Sequence, residues 1–349
     1  MNSVIQEDIK GIVQEPLPWP SFEGANVLVT GAAGFLPAYM VETLMFLNRS
    51  VLSRPANVTA LVRNEAHAIK RFADYHGRDD FRILVQSVSD PLRVSTRFDY
   101  IIHAASNASP AAYLAEPADT LSANVLGTYH LLNAAARDKV CRGFLFFSSG
   151  EVYGALKRRS VPLAENEGGF LDPTAVRACY GEGKRVGETM CACWARQYGV
   201  PARIVRPGHT YGPGMRLDDG RVYADFVRDI LNGGPITLLS DGSARRPFCY
   251  LGDATAAFFT VLLKGEVGEA YNVVNPSAEC SIAELADRLA ALYENQGVRV
   301  VRRQRPPSDY VPSPEEGTPV SVEKVKALGW RARTTIEEGF RRTVDSYRV

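Results

Sequence analysis

The feature that most constrains the fold is a short β-branched run, Asn26-Val27-Leu28-Val29-Thr30, that enters a glycine turn, Gly31-Ala32-Ala33-Gly34, and then an apolar helical stretch to about Leu47. Glycines between a first strand and a helix let the backbone approach a pyrophosphate and aim the helix N-terminus at it. The same alternation continues downstream. Further strands are expected at 58–62, 81–85, 100–103, 143–148 and 202–206, with helices at about 67–75, 119–136 and 177–198. Strand alternating with helix predicts a parallel sheet covered on both faces, a doubly wound α/β fold of the Rossmann type.

The pattern loosens after Pro207, where Gly, Pro and Arg gather in 218–221 and 242–246, and two helices at about 281–294 and 335–347 close the chain. The expected organisation has three parts. Residues 1–22 form a loose arm ending in Pro16-Leu17-Pro18-Trp19-Pro20, a spacing that helices and central strands avoid. Residues 23–206 plus about 245–275 form the dinucleotide-binding domain, and 207–244 plus 276–349 a smaller C-terminal substrate lobe.

Composition narrows the functional classes. The 40 Lys+Arg against 39 Asp+Glu leave a net charge of +1, which argues against nucleic-acid binding through a broad basic field and against a polybasic membrane anchor. No apolar run approaches the roughly 18 residues of a membrane span. The first twenty residues carry Glu7, Asp8 and Glu15 without an apolar stretch, so a signal peptide is not expected and the cytoplasm is the expected location. Six cysteines (141, 179, 191, 193, 249, 280) form no C-x-x-C pair and no zinc spacing. They read as buried free thiols, and no metal site is expected.

Two constellations carry chemistry. In the first, Gly31 and Gly34 are followed by Phe35 and Leu36, with Pro37 where a third glycine commonly stands. Proline is tolerable there because its missing N–H falls in the first helical turn. The second strand ends in Val62-Arg63-Asn64, where a dinucleotide site commonly offers a carboxylate to the ribose hydroxyls. A guanidinium complements a 2′-phosphate and tilts the cofactor towards NADP, against the alternative of a solvated arginine. In the second constellation, Tyr180 and Lys184 stand at i and i+4 on one helical face. A nearby cation favours phenolate and is expected to lower the tyrosine pKa. Ser148-Ser149, at the end of a central strand, supplies a hydroxyl for the same substrate oxygen. Serine, tyrosine and lysine together suit hydride transfer at an alcohol carbon.

With these residues in place the chain resembles the extended short-chain dehydrogenase/reductases that modify nucleotide sugars. The likeness runs from about Gly24 to Leu328-Gly329-Trp330 and Glu337-Glu338-Gly339. It is most similar to the UDP-glucuronate decarboxylase branch, through His103-Ala104-Ala105-Ser106-Asn107-Ala108-Ser109-Pro110, Arg177-Ala178-Cys179-Tyr180-Gly181-Glu182-Gly183-Lys184-Arg185 and Asp219-Gly220-Arg221-Val222. Glu151-Val152-Tyr153-Gly154 is shared with the sugar 4,6-dehydratases. The resemblance implies Tyr180 as base for the sugar 4-hydroxyl, Ser149 as its partner, Lys184 on the nicotinamide ribose and Glu151 near C5 and C6. It places Ala104, Ala105 and Asn124 with the cofactor, and Ser106, His209, Arg221 and Arg246 with the substrate. It favours NAD, and it implies a homodimer through the helices carrying Asn124 and Tyr180.

Three positions depart from the pattern. Gly150 stands where the decarboxylases carry serine and the dehydratases aspartate. His209 replaces an asparagine, and Ser87 an aspartate that meets the adenine. The expected function is oxidation of a nucleotide sugar at C4 by NAD or NADP, with decarboxylation first, 4-epimerisation second and 4,6-dehydration third. A non-catalytic NADP-binding sensor is the alternative from another class, and it would have no need of the Ser149, Tyr180 and Lys184 set. Tyr113 and Tyr153 read as core aromatics.

Overall fold

The computed structural model describes residues 2–109, 115–156, 160–218, 220–303 and 318–348. Pro110, Tyr113 and Asp219 lie outside the described residues. At the centre is a seven-stranded parallel sheet in the order β3-β2-β1-β4-β5-β6-β10. Its strands are β1 (Asn26–Thr30), β2 (Asn57–Val62), β3 (Phe81–Val85), β4 (Tyr100–His103), β5 (Gly143–Phe147), β6 (Ala202–Pro207) and β10 (Ala270–Val273). The strands are apolar nearly throughout because both faces are covered. In β1, Val27 and Val29 enter one core while Leu28 enters the other. Strand order reverses between β1 and β4, and in open α/β sheets such a switch point opens a crevice at the carboxyl ends of the strands.

On one face lie α1 (Ser3–Val13), α2 (Phe35–Ser50) and α7 (Leu251–Lys264). The other face is covered by α4 (Pro117–Asp138) and α5 (Ala178–Tyr198), which pack on each other, and α3 (Glu65–Arg71) lies beside β3. A second core gathers α6 (Val222–Leu231), α8 (Ile282–Leu292) and α10 (Ile336–Asp345). These helices pack around a three-stranded sheet ordered β11-β9-β7 and the pair β12-β8. The strands are β7 (His209–Tyr211), β8 (Ile236–Leu238), β9 (Arg245–Tyr250), β11 (Glu279–Ser281) and β12 (Val300–Arg302).

Four expectations need correction. The first 22 residues are not a loose arm: Ile5, Ile9 and Ile12 of α1 are buried in the main core, and the prolines lead into a turn that buries Trp19 and Phe22. Asp8 anchors this helix across the molecule. It accepts from Tyr39 Oη (2.9 Å), Tyr250 Oη (2.6 Å) and Arg342 Nη2 (2.8 Å), so α1 ties α2 to the second core and to α10. Strand β9, expected with the dinucleotide-binding domain, pairs instead with β7 and β11, because Phe248 and Tyr250 bury into the second core. Val325 of α9 (Glu323–Ala327) and Trp330, expected in the substrate lobe, pack into the main core. All six cysteines are free thiols, but Cys193 is exposed on the outer face of α5 and Cys141 and Cys179 are half-buried. No helix among the described residues is long and apolar enough to cross a membrane.

Candidate active site

The β1–α2 turn is built by backbone necessity. Gly31 has φ +64°, and a Cβ there would stand 2.8 Å from the Cα of Ala105. Both facts require glycine, and the second brings the turn against the loop that follows β4. Gly34 closes the turn, its N–H donating to Gly31 O (2.7 Å), and caps α2 in an extended conformation. Phe35 and Leu36 are the first residues of the helix, so their N–H groups point out of its end. Pro37 sits in the first turn and is buried there. Beneath the turn, Thr30 Oγ1 meets His103 Nδ1 (2.9 Å) and accepts from Ala105 N–H (3.1 Å), while His103 Nε2 meets Thr128 Oγ1 (3.1 Å). Burial, with Lys184 nearby, pulls His103 down to about 3, so it stays neutral and fixes β1, β4 and α4 to one another.

At the end of β2, Arg63 is exposed, and its Nη2 donates to Asn107 Oδ1 (2.8 Å), so it leans towards the loop after β4 rather than into solvent. That loop also holds Ala104, Ala105 and Ser106. The Ser106 hydroxyl and the Oδ1 of fully buried Asn124 are buried oxygens with no hydrogen-bond partner. An orphaned buried acceptor costs free energy unless a ligand or water meets it. Together with the Gly31 cradle and the open end of α2, these atoms fit a dinucleotide.

Across the crevice, β5 runs out into Ser148 and Ser149 just past Phe147, and Ser149 caps a 3-10 turn, Gly150–Tyr153, by accepting from Glu151 N–H (3.2 Å). The Ser149 hydroxyl also lies by the Tyr180 phenol, where it favours the ionised form. Tyr180 and Lys184 lie on the buried face of α5, one turn apart. Lys184 is 2% exposed; its Nζ donates to Phe147 O (2.6 Å) and stands 5.6 Å from the Tyr180 ring. The helix comes this close to the sheet because Gly187 faces Phe146, and this close to α4 because Gly183 faces Asn124, neither glycine having a side chain of its own.

The electrostatics differ from expectation. Tyr180 is pushed up to about 12: burial is the largest cause and Glu151 adds to it, while Ser149, Arg221 and Arg177 oppose. Lys184 does not bring the phenol down, because its ammonium is engaged with Phe147 O and is itself desolvated, its pKa falling to about 7. Glu151 is held in a two-pronged ion pair, accepting from Arg177 Nη1 (2.7 Å) and Nη2 (2.8 Å). The sequence reading gave Arg177 no role. The available signal was an arginine three residues ahead of Tyr180 at the start of the same helix.

The substrate-side residues converge on the same crevice. His209 opens β7, and burial, with Arg246 and then Arg221 beside it, pulls its pKa down to about 3. Arg221 Nη2 donates to Ala108 O (2.9 Å) in the loop after β4. Tyr153 is buried as a core aromatic, donating to Asn272 Oδ1 (2.6 Å) and stacking under Arg206, whose buried ion pair with Glu188 the sequence reading also missed. A small cavity beyond Gly150 is walled by Leu156, His209, Pro247 and Val274.

A profile of the NAD dependent epimerase/dehydratase family matches residues 27–274. The chain is 33% identical over 324 residues to UDP-glucuronic acid decarboxylase 1 of Xenopus tropicalis, covering 93% of this chain and 72% of that protein. It is 32% identical over 344 residues to UDP-glucuronic acid decarboxylase 6 of Arabidopsis thaliana, covering 96% and 94%. Among solved structures, the dTDP-glucose 4,6-dehydratase of Streptomyces venezuelae with NAD and TYD bound superposes with a TM-score of 0.74 at 26% identity, covering 93% of this chain and 97% of the other. Profile, relatives and seven-stranded sheet agree: the chain belongs to the NAD dependent epimerase/dehydratase family.

Proposed function

We propose that the protein oxidises C4 of a nucleotide-activated uronate and releases carbon dioxide from C6, as a UDP-glucuronate decarboxylase does. The observation that carries this reading is the convergence of Ser149, Tyr180 and Lys184 on one side of a crevice whose other side is the Gly31 turn. Gly31, Gly34 and the first turn of α2 hold the pyrophosphate, with Ala104, Ala105 and Asn124 beside the nicotinamide half. Bound there, NAD supplies the hydride acceptor for C4 and the donor that later restores it.

The residues of the chain move the protons. Tyr180 takes the C4 hydroxyl proton while Ser149 holds the oxygen, and Lys184 orients the ribose next to them. The C4 ketone makes the C6 carboxylate a β-keto acid; the C5–C6 electron pair flows into the ketone as carbon dioxide leaves. This step needs no base at C5, whereas water elimination does. Glu151, the carboxylate nearest that role, has both oxygens committed to Arg177, which favours decarboxylation over dehydration. Arg221 and Arg246 lie near neutral His209 and offer cationic partners to the diphosphate or the carboxylate.

The exposed Leu121, Leu126 and Tyr129 of α4, with Val186 and Tyr198 of α5, support a homodimer through this helix pair. Six free thiols fit a reducing compartment such as the cytoplasm. Incubation with a panel of UDP-, GDP-, CDP- and dTDP-sugars, read by mass spectrometry, tests the function. Loss of carbon dioxide from a uronate is the expected result. An unchanged mass with inverted C4 would replace the reading by epimerisation, and loss of water by dehydration.

A further inference from the structure

We propose that Arg177 is a positioning residue: its guanidinium fixes the Glu151 carboxylate beside Tyr180, and the pair together sets the field in which Tyr180 exchanges its proton. The inference rests on Tyr180 being the base of the proposed reaction.

Arg177 stands at the N-cap of α5 three residues ahead of Tyr180, and Glu151 belongs to the 3-10 turn capped by Ser149, whose hydroxyl favours ionisation of the same phenol. The turn and the helix approach closely because position 181 has no side chain: a Cβ on Gly181 would meet Glu151 O at 3.3 Å and Leu171 Cδ1 at 2.8 Å. Two parallel N–H···O bonds fix the carboxylate in plane and in orientation, which a single bond would not. The side chains are 24% and 18% exposed, so the pair borders the crevice and is shielded enough for its charges to be felt.

Glu151 opposes ionisation of Tyr180 and Arg177 assists it; burial is the largest influence, Glu151 comes next and Arg177 offsets part of it. Among the described residues, Arg221 ahead of α6 also acts on the phenol, Lys184 lies one turn along α5 and Cys179 is the neighbour of Tyr180 in the chain; Arg246 and His209 stand with Arg221, and α4 presents Asn124 against Gly183. Lys184 is occupied with Phe147 O, and Arg221 reaches the loop after β4. The Glu151–Arg177 pair is therefore the element whose two members act on Tyr180 with opposite sign from a shared position. Cys179, between Arg177 and Tyr180, feels the same two charges: Arg177 lowers its pKa and Glu151 raises it. It is a built-in reporter that needs neither cofactor nor substrate.

The test uses the full chain with Arg177→Ala, Glu151→Gln and Arg177→Lys. Alkylation of Cys179 by iodoacetamide at pH 8, followed peptide by peptide, should slow about threefold in Arg177→Ala and quicken about threefold in Glu151→Gln, the change expected for a shift of about half a pH unit. Arg177→Lys should recover part of the rate. In turnover, the pH at which kcat rises should move up in Arg177→Ala and down in Glu151→Gln. If the pair only braced the turn, either variant would loosen it, and alkylation would quicken in both. Changes of the same sign, or none, in alkylation or in the kcat profile overturn the proposal. If wild type turns over no nucleotide sugar, the proposed function fails, and the alkylation signs still decide this one.

Discussion

On the β1–α2 side of the crevice the surface offered to a ligand is mostly backbone. Gly31 in a left-handed conformation presses on Ala105, the end of α2 opens towards the crevice, and His103 braces the strands below through two threonine hydroxyls. The opposite side is made of polar side chains drawn from separate segments, most of them charged: Glu151 from the 3-10 turn, Arg177 from the start of α5, Arg221 ahead of α6, neutral His209 from β7 and Arg246 from β9. A backbone cradle tolerates few substitutions but reads any pyrophosphate alike. A set of side chains on separate segments can be retuned one residue at a time. On the proposed function, the C4 oxidation falls to Gly31, Tyr180 and Lys184, and the choice among net reactions to the polar side.

The largest effect should come from the residue that both sides share. Tyr180→Phe keeps the ring that packs on α5 and removes the hydroxyl that meets Ser149. Turnover should fall by about 10²–10⁴-fold, the usual cost of removing a general acid–base group, while dinucleotide binding by fluorescence titration stays as it was. Near-normal turnover would mean that the proton leaves by another route and that the two sides do not meet at this phenol.

The unequal legibility of the two sides has a physical basis. The glycine turn, the strand-end serines and the Tyr180–Lys184 spacing are local patterns, set within a few residues by backbone geometry or helical period, so the sequence displays them directly. The Glu151–Arg177 pair joins positions 26 apart, and Asp8 meets Arg342 across 334 positions; no period connects such residues. The N-terminal helix is legible too: Ile5, Ile9 and Ile12 follow the i, i+4, i+7 rule, and the prolines at 16, 18 and 20 lie beyond its end, so they do not oppose it. The lowered pKa expected for Tyr180 failed for a related reason: the spacing places a cation near the phenol but says nothing of how deeply both are buried, and burial decides.

A second, smaller effect should separate decarboxylation from the other outcomes. Gly150 starts the 3-10 turn without a left-handed φ, so a serine fits the backbone there. It would add a hydroxyl next to Ser149, on the side where the cavity is walled by His209 and Pro247. Gly150→Ser should speed the step that releases carbon dioxide by about tenfold, within the roughly 1.5–3 kcal/mol of a hydrogen bond to a charged group. C4 oxidation, which depends on Tyr180 and Ser149, should not change. Rapid-quench mass spectrometry of the 4-keto sugar checks this. Slower oxidation with no gain in carbon dioxide release would show that the added side chain obstructs the sugar and that this side of the crevice is not specialised for a carboxylate.

The smallest effect concerns the backbone-built side, at the arginine that ends β2. Arg63 donates to Asn107, and Asn107 Nδ2 donates in turn to Glu116 Oε2 (3.2 Å), so the guanidinium is steered over the loop after β4. There it lies at the end of β2, where a carboxylate would accept from the ribose hydroxyls and a cation would receive a 2′-phosphate. Arg63→Asp should shift the ratio of NAD to NADP affinity towards NAD by about five- to tenfold, close to the 1.4 kcal/mol of a tenfold change. Isothermal titration with each dinucleotide measures the ratio directly. Arg63→Ala is the comparison that gives the result meaning. If arginine only anchors Asn107, both affinities fall together in both variants and the ratio stays constant; the surface from Gly31 to Arg63 would then be indifferent to the 2′-phosphate, and cofactor preference would have to be set elsewhere on the adenosine side.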